Sequence, residues 1–277
     1  MNYCIPDMTA GDYFASDGLS ATVLKACRTS MKHGRHQATV GREQTAAMAW
    51  GSLVHGVVLE PDLFFDTLAV WNGDKRGKAW SEFKADAEGQ HLSVVTVDEM
   101  KDLTAISASV HGNRHANRLI SQTQHEMSAF WGDDHYGPAK CRFDCICDDM
   151  ALGIADIKTT RNITARLFGM DFFRMGYDLQ FGWYREGARV ITGKVLPVHV
   201  ICIESSAPFD CCVRRVPESV MDAGLERGIE LARKYRICEH LNRWDGVSSE
   251  IDDIEVPGWM GGSERVELTM GGEKVEV

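Results

Sequence analysis

The sequence predicts an α/β or α+β fold, a central mixed β-sheet flanked by helices, on three observations. Strand-like segments follow one another closely at Gln124 to Trp131, Lys140 to Cys147 and Leu152 to Thr159. Two more, Val195 to Glu204 and Phe209 to Val216, come only after a long helical stretch, and the first third of the chain reads as helix. That order suits one sheet with helices packed against it. With 277 residues, 44% of them hydrophobic, the chain can bury a substantial core.

Each element has a local reason. Ser20 is placed to cap a helix carrying Val23, Leu24 and Cys27, and Ala46 to Leu59 forms a second helix stopped by Glu60-Pro61. Asn72 to Gly77 is a basic loop before an amphipathic piece with Trp80 and Phe83. Thr96-Val97-Asp98-Glu99 is a capping box opening a helix with Met100, Leu103 and Ile106, and a further helix covers Asn113 to Gln122. Beyond the third strand, Asn162 to Gly187 reads as helix. Pro217 begins another, with Met221, Leu225, Ile229 and Ala232 on one stripe, running to about Glu239. From Asp245 helical periodicity is lost and Gly261-Gly262 and Gly271-Gly272 appear; short strands are expected at Val266-Glu267-Leu268 and Val275. The expected organisation is one domain over residues 1–243, with a helical portion at 15–122 and a catalytic core at 123–240, followed by an acidic, glycine-containing tail at 244–277.

Composition narrows the function. No run approaches the roughly 20 apolar residues of a membrane span, and Met1 to Asp7 lack the basic and apolar regions of a secretory signal, so the expected location is the cytoplasm, with no membrane partner. The nine cysteines contain no C-x-x-C pair, which argues against a zinc ribbon or iron–sulfur cluster. Five of them, Cys141, Cys145, Cys147, Cys202 and Cys211, lie in strand-like segments and read as small buried hydrophobes. The net charge is −10, but residues 244–277 carry nine acids against two bases, a net −7, which leaves −3 on the rest. Within that body Lys25, Arg28, Lys32, Arg35 and Arg42 form a basic stretch without an acid, and Lys75, Arg76 and Lys78 form another. Local fields of that kind can guide a polyanion to a cleft.

The chemistry centres on Asp144 and on Asp156-Ile157-Lys158, twelve residues later. Alternation puts Phe143, Cys145 and Cys147 on one face and Arg142, Asp144 and Ile146 on the other; Asp156 and Lys158 share a face. If the Asp148 to Ala151 turn centres near Met150, Asp144 falls opposite Asp156 across an antiparallel pair, within reach of one hard cation, with Lys158 aimed at the same spot. Such a grouping suits phosphodiester cleavage: the cation polarises the phosphoryl oxygen and acidifies a water, and the ammonium orients that water and shields developing charge. Other polar residues sit in apolar surroundings. His55 lies inside the apolar helix Trp50 to Leu59, Glu126 occupies the strand before the hairpin, and Gln180 and Tyr184 stand four apart on the helix after Lys158, with Tyr177 alongside.

Taken as an ordered set, His55, Glu126, Asp144, Asp156-Ile157-Lys158 and Gln180-x-x-x-Tyr184 resemble the PD-(D/E)xK nuclease superfamily, most closely the RecE-type exodeoxyribonuclease VIII family of phages and prophages. That family is related to lambda exonuclease and the RecB nuclease domain. Gly18-Leu19-Ser20 with Leu24, Gly51 to His55, Gly77-Lys78-Ala79-Trp80 and Asp156 to Thr160 carry the likeness, which spans residues 15–240. Phe143 before Asp144, in place of proline, is a departure.

The resemblance implies a restriction-endonuclease-like core and a metal-dependent DNA exonuclease. Asp144, Asp156 and the Ile157 carbonyl would bind Mg²⁺ or Mn²⁺, with His55 as an additional ligand. Lys158 would orient and activate the attacking water; Glu126 would hold a second metal or position Lys158; Gln180 and Tyr184 would contact the scissile strand or buttress the lysine. Phosphate contacts would come from Lys25, Arg28, Lys32, Arg35, Lys75, Arg76 and Lys78, with Ser20 and Arg28 as candidates for a 5′-terminal phosphate. The family digests linear double-stranded DNA processively from 5′ to 3′, leaving a 3′ single strand for an annealing protein. Its members act as homo-oligomeric rings, trimeric or tetrameric. The competing readings are a structure-specific endonuclease or CRISPR-adaptation-type nuclease of the same superfamily, a non-catalytic DNA-binding or partner-binding scaffold, and a cysteine hydrolase, the last disfavoured because no cysteine pairs recognisably with a histidine.

Overall fold

The apolar pattern is expressed as a chain of alternating helices and strands, and the computed structural model describes residues 2–6, 8–41, 43–255, 267–270 and 273–276. The N-terminal part comprises β1 (Tyr3–Ile5), α1 (Ala10–Ala15), α2 (Ala21–Cys27), α3 (Met31–Thr39), α4 (Ala46–Leu59) and α5 (Pro61–Phe64). A small unit follows, in which β2 (Leu68–Trp71) pairs in parallel with β3 (Ser93–Thr96) across α6 (Gly77–Gly89). Next come α7 (Val97–Gly112) and α8 (Arg114–Ser121). The core then runs β4 (Gln124–Asp133), β5 (Gly137–Ile146), β6 (Ile154–Thr160), α9 (Ala165–Arg174), α10 (Tyr177–Thr192), β7 (Val198–Glu204), β8 (Cys211–Arg215) and α11 (Glu218–Leu241).

The helix starts follow their caps. Ser20 Oγ accepts the Val23 N–H at 3.4 Å. At α7, Thr96 Oγ1 accepts the Glu99 N–H at 3.2 Å while Glu99 Oε2 accepts the Thr96 N–H at 2.7 Å, both halves of a capping box.

Six strands form one mixed sheet in the spatial order β1-β4-β5-β6-β7-β8, antiparallel except between β6 and β7. A parallel pair needs a long crossover, which α9 and α10 supply. Helices cover both faces. On one, Leu179, Phe181 and Trp183 of α10 pack with Phe143, Val198, Val200 and Cys202 and with Met221 and Ala232 of α11. On the other, Val54, Val57 and Val58 of α4 and Leu103, Ile106 and Val110 of α7 pack on Ala155, Ile157, Ile201 and Ile203. α10 is buried on nearly all sides because it lies between sheet and α11, and glycines let those two helices close up. A Cβ added at Gly224 would sit 2.1 Å from the Asp178 carbonyl oxygen.

Two expectations need correcting. Asn162 to Gly187 is two helices, broken at Gly176 in the left-handed conformation (φ 68°), and the second runs on to Thr192. The apolar residues continue through the break, so periodicity alone joins what the backbone separates. The alternation in β5 also changes phase. Phe143 packs under α10, whereas Cys145 joins the opposite core, so these two do not share a face. The β4–β5 ladder pairs Met127 with Phe143 and His125 with Cys145 but has no Glu126–Asp144 pair, and Glu126 takes a φ of 51°. The strands re-aim their side chains at that step.

β1 and the β2–β3 pair are short elements that the sequence pattern missed. In the C-terminal segment β9 (Glu267–Met270) pairs antiparallel with β10 (Glu273–Glu276), which takes in the expected Glu267, Leu268 and Val275. Val266, Gly261-Gly262 and Gly271-Gly272 lie outside the described residues. At residue 244 the chain is still docked: Trp244 meets Tyr235 at 4.9 Å between ring centres, and the Asp245 carbonyl accepts the Lys32 N–H at 3.1 Å. Among the described residues no helix is long and apolar enough to cross a membrane.

Candidate active site

Strand β6 sets the geometry. Its alternation turns Ala155 and Ile157 into the α4 core and Asp156 and Lys158 toward α10. The β5–β6 ladder pairs Ile146 with Ile154 and Cys145 with Ala155, a register centred on Met150. One step further Asp144 would face Asp156, and there the ladder stops. The Asp144 side chain enters the gap, and its Oδ2 accepts the Ile157 N–H at 2.8 Å, satisfying a backbone donor that the parting strand leaves free.

On the α10 side the polar groups form a chain. Lys158 pairs with Asp156 Oδ2. Gln180, buried on α10, donates from Nε2 to Asp156 Oδ1 at 3.2 Å, and its Oε1 accepts from the Lys25 ammonium of α2 at 2.7 Å. Both lysines lie over one ring: their Nζ atoms are 5.1 Å (Lys158) and 5.4 Å (Lys25) from the Tyr177 ring centre. Tyr184 packs on Phe143 and Phe181 and closes the apolar wall below Gln180. Burial, then the neighbouring Asp144 carboxylate, hold the Asp156 carboxyl above the usual range against the pull of Lys158. For Lys158 burial works downward, but Asp156 and Asp144 outweigh it and hold the ammonium above the ordinary lysine range. Burial first, then Lys158, bring Lys25 down to about 8.

On the α4 side the groups are less paired. His55, Glu126 and Asp144 each offer one ligand atom, all within 4.8 Å of one another. His55 Nε2 lies 3.2 Å from the Ile157 carbonyl oxygen. With the proton assigned there by that contact, Nδ1 turns its lone pair toward Asp144 Oδ2, 3.6 Å away. Glu126 lies 2.6 Å from Arg142 Nε, an ion pair whose N–H is not aligned for a hydrogen bond. Burial, then Asp144, raise the Glu126 carboxyl. Its left-handed backbone costs about 1 kcal/mol or more in a non-glycine residue and recurs where a function holds it. Two carboxylates and an imidazole whose ligand atoms lie within 4.8 Å of one another, with Arg142 beside one of the carboxylates, fit a divalent cation by donor chemistry.

The structure thus divides the expected ligand set. His55 and Asp144 stand together with Glu126; Asp156 is taken up by Lys158 and Gln180, and the Ile157 carbonyl by His55. Among the described residues no hydrogen bond links Glu126 to Lys158. The basic residues are divided too. Lys25 belongs to the site itself. Arg28 donates to the Phe173 carbonyl at 3.3 Å and, with Phe173, Asp178, Leu179 and Arg227, lines a cavity of about 370 Å³. Lys32 and Arg35 lie on α3 beside the end of α11, Arg35 lying 5.0 Å from the Trp244 ring centre. Lys75 pairs with Glu99 at 2.8 Å and Lys78 with Glu82 at 3.3 Å, while Arg76 precedes α6 and Ser20 serves as a helix cap. Sequence reasoning missed Arg142 as the partner of Glu126, and missed that Lys25 turns inward. The signal for the second was its place four residues after Ala21, on the buried side of α2.

Residues 20–256 match the model of a family described as a PDDEXK-like domain of unknown function (DUF3799). The chain belongs to that family. A similar fold is seen in a crystal structure described as a "Putative exonuclease" from Eubacterium rectale, with a TM-score of 0.63, 16% identity, and coverage of 93% of this chain and 99% of that one. At that identity the likeness concerns the fold. No curated protein matches the chain in sequence.

Proposed function

We propose that the protein is a divalent-metal-dependent deoxyribonuclease that hydrolyses phosphodiester bonds from the ends of linear duplex DNA. The observation that carries this is the convergence of Asp144, Asp156 and Lys158 beside the His55–Glu126–Asp144 trio, in a chain of the PDDEXK-like family. His55, Glu126 and Asp144 would hold the cation, with Asp156 joining through the oxygen it now gives to Lys158. When bound, Mg²⁺ or Mn²⁺ would polarise the scissile phosphate and acidify a water.

The chain's own residues do the rest. Lys158, kept charged by two carboxylates, orients the attacking water and offsets charge on the phosphoryl oxygens; an ammonium so held is not a free base. Gln180 keeps Asp156 aligned, and Tyr177 and Phe181 seat the lysine. Arg28, which lines a cavity with Arg227, would meet a phosphate of the DNA. Digestion from 5′ to 3′, a ring of three or four copies around the duplex, and transfer of the 3′ strand to an annealing protein complete the reading, which rests on the resemblance of the motif order to that of the RecE-type family.

The test is a linear duplex carrying distinguishable 5′ and 3′ end labels, alongside a closed circle, with Mg²⁺ and with chelator. Loss of the 5′ label alone, with circles intact and no cleavage in chelator, is the expected result. Undiminished cleavage in chelator contradicts it, and rapid cutting of circles turns the reading to an endonuclease.

A further inference from the structure

The Gln180 amide lies between a cation and an anion. Its Oε1 is 2.7 Å from the Lys25 ammonium and its Nε2 is 3.2 Å from Asp156 Oδ1, and the side chain is buried. The two ends of an amide are nearly alike in size but opposite in hydrogen-bonding sense. Turned over, the group would set its oxygen against the Asp156 carboxylate and its NH₂ against an ammonium that cannot accept. A hydroxyl at position 25 would tolerate either orientation; a lysine tolerates one. Among the described residues Gln180 Oε1 is the only hydrogen-bond acceptor of Lys25.

From this geometry we infer that Lys25 is a positioning residue of the catalytic pair, fixing the Gln180 amide so that it donates to Asp156 and holds that carboxylate in register with Lys158. The inference rests on the nuclease reading of the site, and it departs from the phosphate contact that the sequence suggested for Lys25. The ammonium acts on Asp156 through Gln180, and its position over the Tyr177 ring fixes the direction from which it does so.

A double-mutant cycle in the full chain tests it, using Lys25→Met, Gln180→Met and both together on linear duplex with Mg²⁺, with kcat and KM measured separately. Lys25→Met lowers kcat by about tenfold or more with KM little changed, since a charge-assisted hydrogen bond is lost. Lys25→Arg restores most of the rate, and in the Gln180→Met background Lys25→Met costs nothing further. A second arm uses neither DNA nor cation: in ¹⁵N NMR the Gln180 side-chain NH₂ shifts and loses exchange protection in Lys25→Met but not in Lys25→Arg. Should Lys25→Met fail to fold, Lys25→Gln, which can pair with either end of the amide, replaces it with the same expectations. A raised KM with weakened salt dependence at full kcat, losses that multiply in the double variant, or an unmoved amide resonance overturns the inference. A wild-type protein that cleaves nothing defeats the nuclease reading instead, and the NMR arm still decides the role of Lys25.

Discussion

On the α10 side of the site both oxygens of Asp156 are taken, one by Gln180 and one by Lys158, and the carboxylate is 1% exposed. On the α4 side the side chains of Asp144 and Glu126 keep 13% and 28% of their exposure, and a backbone amide, one misaligned arginine and a histidine are what face them. One half is therefore organised before anything binds. The other brings Asp144 and Glu126 together with His55 in a group whose donors suit a cation. The contrast follows from the strands: regular alternation in β6 delivers Asp156 and Lys158 to α10, whereas the break at Glu126 and Asp144 delivers their carboxylates to α4.

The comparison can be broken most strongly at Asp156. Asp156→Ala removes the partner of Lys158 and Gln180 together and should lower cleavage of linear duplex by about 10²-fold or more; activity within a few-fold of wild type would mean that the two halves are not coupled. A smaller effect is expected at the helix contact that holds Gln180 against β6. Gly224→Ala must push α11 off the Asp178 carbonyl, and should lower unfolding stability by about 1–3 kcal/mol in a denaturant titration. An unchanged midpoint would show that α10 can move without cost.

The smallest effect is a slope with pH. Lys25 titrates near 8 in the folded chain against 10.5 for the free side chain, so between those values the unfolded chain holds more protons. Stability should rise with pH across that window by at most about 1.4 kcal/mol per pH unit, and be flat in this term at lower pH, where the lysine is charged in both states. Lys25→Met should flatten the slope; an unaltered slope would place Lys25 outside the buried chain.

The fold was legible wherever a local rule acts alone. The capping box at Thr96 and Glu99, the cap at Ser20, the α4 span and the register about Met150 all follow from neighbours in sequence. What was not legible depends on distant partners. Gly176 breaks a helix whose apolar residues continue on both sides. Glu126 leaves the regular strand conformation beside Asp144, and periodicity contains no term for that. Likewise, Lys25 reads as one member of a basic stretch, and only the packing of α2 against α10 separates it from Lys32 and Arg35. Asp144, Asp156 and Lys158 can be grouped from the sequence because one short turn joins their strands, whereas the Arg142–Glu126 pair forms where the β4–β5 ladder skips a step.

The division between the halves is tested most directly by titrating Mn²⁺ calorimetrically into wild type, Asp144→Asn and Lys158→Ala, with cleavage of end-labelled duplex followed in the same samples. Asp144→Asn should lose both cation binding and cleavage, whereas Lys158→Ala should bind the cation and fail to cleave. Equal binding in Asp144→Asn, or normal cleavage by Lys158→Ala, would contradict the account.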